Sequence, residues 1–99
     1  MTNDLSSDSW VYVLVQNPGS NERILGQHDP EHEIAFIPTF KDKDAAMQGV
    51  IHLPKDKGHK YEIQAILYED LEDYAAKGQF LIFILDDLGR IIDKRIPKG

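Results

Sequence analysis

The richest cluster of potentially reactive side chains in this chain is His28-Asp-Pro-Glu-His32. Two imidazoles and two carboxylates within five residues are ligand types that a divalent cation such as zinc accepts. A His-x3-His pair clamps a metal when both rings share one helix face, but Pro30 stands between these two and breaks a helix. No third ligand follows at a recognisable spacing. His28 and His32 are thus the candidate metal ligands by residue type, and the expectation is a polar connecting loop that holds no metal. Carboxylates form the second cluster, at Glu69, Asp70, Glu72 and Asp73 and again at Asp86 and Asp87. Paired carboxylates can work as acid and base, yet an acidic helix start and a hairpin turn account for all six without catalysis.

Other chemistries lack their residues. With no cysteine in 99 residues, disulfides, thiolate metal sites and thiol nucleophiles are excluded, and a reducing cytoplasm is the default compartment. No serine lies in Gly-x-Ser-x-Gly and no glycine-rich phosphate loop is present. His52 falls on the polar stripe of an expected helix, and His59 lies in the charged turn Lys55-Asp-Lys-Gly-His-Lys60. A net charge of −6, from 17 acidic and 11 basic side chains, repels a phosphate backbone and an anionic bilayer. The expectation is a protein with no catalytic residue, no cofactor, no nucleic-acid partner and no membrane partner.

The elements that would position these groups follow from periodicity and breakers. Residues 1–9 are polar and aperiodic and read as a disordered tail, leaving 10–99 as a single domain. Trp10–Val15 is a β-branched and aromatic strand that ends at the turn Asn17-Pro-Gly-Ser-Asn21. Glu22–Gly26 returns as a short strand, His28–His32 is a loop, and Glu33–Ile37 alternates into a third strand that Pro38 ends. From Asp42 to Leu53, apolar positions at Ala46, Gly49, Val50 and Leu53 predict a helix. Lys60–Tyr68 is a strand with Tyr61, Ile63, Ala65 and Leu67 on one face. A second helix is capped at Asp70 and closed by Lys77-Gly78. Gln79–Leu85 is apolar on both faces, and the turn Asp86–Gly89 leads to a last strand, Arg90–Arg95.

The order β-β-β-α-β-α-β-β describes a two-layer α/β sandwich: a mixed sheet of about five to six strands with two helices on one face and right-handed crossovers. Val11-Tyr-Val-Leu14 followed by Asn17, Ile34-Ala-Phe-Ile-Pro-Thr-Phe-Lys-Asp-Lys-Asp-Ala-Ala46, Tyr61-Glu-Ile-Gln64 and Asp70-Leu71 together resemble a group of small bacterial and plastid domains of uncharacterised function. The helix opening after Phe40 is also similar to the N-terminal module of the SseB family, linked with enhanced serine sensitivity. The resemblance implies this fold and carries no catalytic residues.

Two helices on one face leave the other bare, while Phe80–Leu85 presents apolar side chains to both. A partner chain or a second copy would cover the bare face, through Val11, Val13, Val15, Ala35 and Ile37 with whichever of Leu81, Phe83 and Leu85 or Phe80, Ile82 and Ile84 points away from the helices. The expected function is a non-enzymatic, cytoplasmic interaction domain that forms a homodimer or binds another protein. The alternative is a small-molecule binder or enzyme with a cleft at the C-terminal ends of the parallel strands, near Thr39, Phe40, Tyr68 and Glu69.

Overall fold

The computed structural model describes residues 5–55 and 57–97. Four strands come first: β1 (Trp10–Gln16), β2 (Arg23–Ile24), β3 (Gln27–Asp29) and β4 (Ile34–Phe40). Helix α1 (Lys43–Gly49) tightens into a 3₁₀ turn at Val50–His52, and β5 (Tyr61–Leu67), α2 (Tyr68–Gly78), β6 (Leu81–Leu85) and β7 (Ile91–Arg95) follow. The α/β class and the mixed sheet are as expected, with seven strands in place of five or six. The extra strand is β3, read from its polar residues as loop, which pairs antiparallel with β4 through Gln27↔Phe36, His28↔Ala35 and Asp29↔Ile34.

Across the sheet the long strands run β5, β1, β4, β6, β7. β4 and β6 are parallel, and β1 is antiparallel to both β4 and β5. β1 and β4 pair only at Tyr12↔Phe40; they diverge from there, and β2 on β1 and β3 on β4 fill the wedge. Pro38 does not end β4 as expected. It pairs with Phe83 of β6, and on its other edge it falls in the gap between the β3 pairing at Phe36 and the β1 pairing at Phe40. A residue without an N–H is tolerated in a strand at such a gap.

The helices lie on opposite faces, which corrects the expectation of one shared face. Leu71, Ala75 and Tyr68 of α2 pack on Val11, Val13, Val15, Ile37, Ile82 and Ile84. Ala46 of α1, with Ala45 and Val50 beside it, packs on the alternate residues Tyr12, Phe36, Phe40, Phe83 and Leu85. Strand order explains this. The crossover through α1 moves from β4 over β1 to β5, and the one through α2 moves back from β5 to β6. Crossovers of one hand that travel in opposite directions must place their helices on opposite faces. Both faces of β6 are thereby covered, so its Ile82, Phe83, Ile84 and Leu85 are all buried, each such side chain contributing about 1.5–3 kcal/mol.

Helix ends are set by local bonds. The Asp42 carboxylate accepts the Ala45 N–H at 2.8 Å, the N-cap expected for α1. α2 begins two residues before Asp70 and has no side-chain cap. Its first N–H groups, on Tyr68 and Glu69, donate to the carbonyls of Ser9 (2.8 Å) and Ser7 (3.0 Å). Residues 5–9 thus lie as a strap along the start of α2, with Leu5 against the core. Residues 1–4 of the expected tail lie outside the described residues. At the other end of α2 the left-handed residue is Gln79 (φ 61°), one position beyond Gly78. Gly78 serves packing: a Cβ there would stand 2.6 Å from the Phe80 ring, whose opposite edge is closed by Gly26 at the same distance.

Replacing Gly78 with Ala tests this cradle. Helix propensity alone favours Ala by about 1 kcal/mol, but the trapped ring makes the substitution destabilising by about 1–3 kcal/mol, measurable as a lower urea midpoint. A raised midpoint would contradict the packing account.

Candidate interaction surface

The predicted site residues do not form the sites expected of them. Val11, Val13, Val15 and Ile37 are sealed beneath α2, and Ala35 lies on that same face beside a cavity of about 550 Å³ bordered by Tyr74 and Phe80. Leu81, Phe83 and Leu85 are on the α1 face, where Phe83 stacks on Phe36 at 4.4 Å and carries the Lys94 ammonium 5.3 Å above its ring. The eight residues therefore make no single surface, and six of them are buried by the chain's own helices.

The expected cleft also divides. Thr39 is 0% exposed, its hydroxyl donating to the Ile37 carbonyl at 3.1 Å, and Phe40 is the buried anchor of α1. Tyr68 borders a cavity of about 440 Å³ with Leu5, Ser6, Glu72 and Arg95. Burial pushes the Tyr68 phenol up, while the Arg95 guanidinium, hydrogen-bonded to Asp93 at 2.9 Å, sits 6.0 Å from its ring. Glu69 is exposed in the first turn of α2.

At the ends of β4 and β6 a separate cleft of about 310 Å³ is bordered by Lys41, Asp42, Gln48, Asp86, Asp87 and Ile92. Two of its carboxylates are engaged. Asp42 caps α1, and Asp86 organises the hairpin, accepting the Leu88 and Arg90 N–H groups at 2.9 Å and the Arg90 Nε at 2.8 Å. The Arg90 backbone bond is the leading cause that holds the Asp86 carboxyl below its usual range.

His28 and His32 do not converge. The Asp29 carboxylate accepts the Glu31 and His32 N–H groups and bonds the His32 ring at 2.8 Å, and that ring bond chiefly lowers the Asp29 pKa. His28 and Asp29 are consecutive strand residues and point to opposite faces. Among the described residues no three His, Asp or Glu side chains gather as a metal site.

Exposed apolar side chains occur around β7, at Leu88, Ile91, Ile92 and Ile96, and at the β1/β5 end of the sheet, the second of which was not read from the sequence as one unit. Cross-strand partners share a face, so Trp10/Leu67, Tyr12/Ala65 and Leu14/Ile63 form rows of β1 and β5 on the α1 side, of which Leu14 is buried, Tyr12 and Ile63 pack against the α1 cluster, and Trp10 and Ala65 are exposed. α1 lies toward β4 and β6: a Cβ at Gly49 would meet the Asp86 carbonyl at 2.9 Å, and one at Gly89 would meet His52 at 2.8 Å. Seven residues of α1 cannot also cover β5. Trp10 is consequently 58% exposed, Ala65 is exposed, and Met47, 56% exposed, stands on the helix flank turned away from the hairpin. No helix among the described residues is long and apolar enough to cross a membrane.

No family model matches the chain, and no curated protein or solved structure gives a match. Function must be read from its own surface.

Two measurements check these assignments. Calorimetric titration with zinc gives no tight stoichiometric site; a site abolished by His28→Ala would contradict the loop geometry. Because the Asp86 pKa is lowered on folding, its contribution is present above the ordinary carboxylate range and is lost as pH falls through the lowered value. Asp86→Asn therefore flattens the acid limb of stability as pH falls below the ordinary carboxylate range, read from urea midpoints. An unchanged limb would show that the hairpin does not depend on the carboxylate.

Proposed function

We propose that this protein is a non-enzymatic, cytoplasmic interaction domain that self-associates through the part of its sheet that α1 leaves open. The observation that supports this most is Trp10. A tryptophan on a sheet face, paired with Leu67 and more than half exposed, is an apolar surface that a monomer gains nothing by leaving in water. Tryptophan and tyrosine are also the residues that most often dominate association energy. Tyr12 and Ala65 in the next row, with Met47 at the edge, extend the patch without a charged side chain among them. The expected partner surface thus shifts from the buried central strands to the β1/β5 half of the α1 face.

A second reading has one observation in its favour. The cleft between Asp42 and Asp86 lies at the C-terminal ends of two adjacent parallel strands, where open α/β sheets bind ligands. Its engaged carboxylates leave Gln48 and Asp87 as the polar groups that would meet a small molecule.

Trp10 is the chain's one tryptophan and reports on the proposed contact directly. Its emission should move to the blue with concentration as light scattering changes from monomer to dimer mass. Trp10→Ala should weaken association by about 2 kcal/mol or more, roughly thirtyfold in Kd, with unchanged circular dichroism. A solvent-like emission maximum and monomer mass at every concentration would overturn the self-association reading.

A further inference from the structure

We infer that the surface of the second copy is its own β5, added antiparallel to β5 so that the two sheets become one, with Ala65 opposite Ala65 and Ile63 opposite Leu67 across a two-fold axis. The inference rests on the self-association reading and places a main-chain contact at the sheet edge beside the row Trp10–Leu67, one strand away from Trp10 itself.

The backbone of β5 supplies the geometry. In an antiparallel pair, hydrogen-bonded and non-bonded residues alternate. The Asn17 N–H donates to the Lys60 carbonyl at 2.7 Å and the Tyr68 N–H to the Ser9 carbonyl at 2.8 Å, bracketing the β1–β5 ladder at both ends. Even-numbered residues of β5 accordingly bond inward to β1. Ile63, Ala65 and Leu67 turn their N–H and C=O groups to the outer edge, where no strand lies among the described residues. A two-fold axis at Ala65 pairs all three at once, each pair exchanging both of its N–H···O bonds.

The side chains agree with this register. β5 has seven residues and a single charge, Glu62, which falls opposite Tyr68 of the second copy instead of another carboxylate. On the α1 face the row Tyr12–Ala65 continues into Ala65–Tyr12 of the second copy, and Trp10–Leu67 continues into Ile63–Leu14. The apolar rows of the two copies thus meet side by side across the seam, on one face of the joined sheet. β7, at the other end of the sheet, exposes Ile91 and Ile92 but has two features of a solvent-facing edge: it carries Asp93, Lys94 and Arg95 among five residues and is irregular opposite Ile84/Leu85. β5 has neither device.

The absence of native cysteine makes the register testable with single introduced thiols. In the proposed dimer the two Ala65 positions are about 5.5 Å apart, so Ala65→Cys should be captured as a dimer by a short bifunctional thiol reagent. Glu62→Cys lies about 20 Å from its own copy and should not. Ala65→Pro removes an N–H that faces outward, a place where an edge strand tolerates proline. It should keep the circular dichroism of the wild type and weaken association about tenfold or more. A wild type that is monomeric by light scattering removes both this inference and the reading on which it rests. A dimeric wild type whose Ala65→Cys variant is not captured, or whose Glu62→Cys variant is captured equally well, overturns the β5 pairing alone. The cysteine result decides the matter even if the proline variant fails to fold.

Discussion

The handedness of crossovers is the constraint on which this structure turns. A β5 placed beyond β1 sends the chain one way across the sheet and back again, and a single hand for both journeys puts α1 and α2 on opposite faces. One long helix can blanket a face; a short one cannot. α2, with eleven residues, covers the central strands on its side, whereas α1 has seven and is held at β4 and β6 by Phe40, Gly49 and the β6–β7 hairpin. The exposure of Trp10 and Ala65 at the far end of that face is thus a consequence of topology combined with helix length.

The strap at residues 5–9 follows the same economy of main-chain bonds. α2 starts at the residue after β5, leaving no room for a capping side chain, and Leu67 in the cap position has nothing to offer the first N–H groups. Ser7 and Ser9 supply carbonyls instead, extending the β1–β5 ladder past Trp10. This holds Trp10 in strand geometry beside Leu67, so the most exposed part of the patch is also tied at both ends.

Much of this was legible in the residues. The β-branched and aromatic composition of Trp10–Val15, the alternation in Tyr61–Leu67, the Asp42 cap, the continuous apolar run of β6 and the Gly89 turn with its φ of 77° all carry local signals that the fold obeys. β3 was not legible, because its pairing satisfies backbone groups while His28 and Asp29 look like loop residues. The strap was hidden for the same reason, since carbonyl caps leave no mark on side-chain identity. The faces occupied by the helices depend on strand order, which no window of sequence encodes. Val13, Ile37 and Phe83 consequently read as one open surface when they are three buried positions on two faces.

Amide hydrogen exchange along β5 tests the account most directly, because the strand carries its own internal control. The Glu62, Gln64 and Ile66 amides bond to β1 and are protected in any folded state. Those of Ile63, Ala65 and Leu67 face outward and exchange slowly only when another strand covers them. The account predicts uniform protection of all six amides at concentrations where the protein is dimeric, and alternating protection on dilution. Alternating protection that persists at every concentration would show that β5 remains an open edge and contradict the central claim.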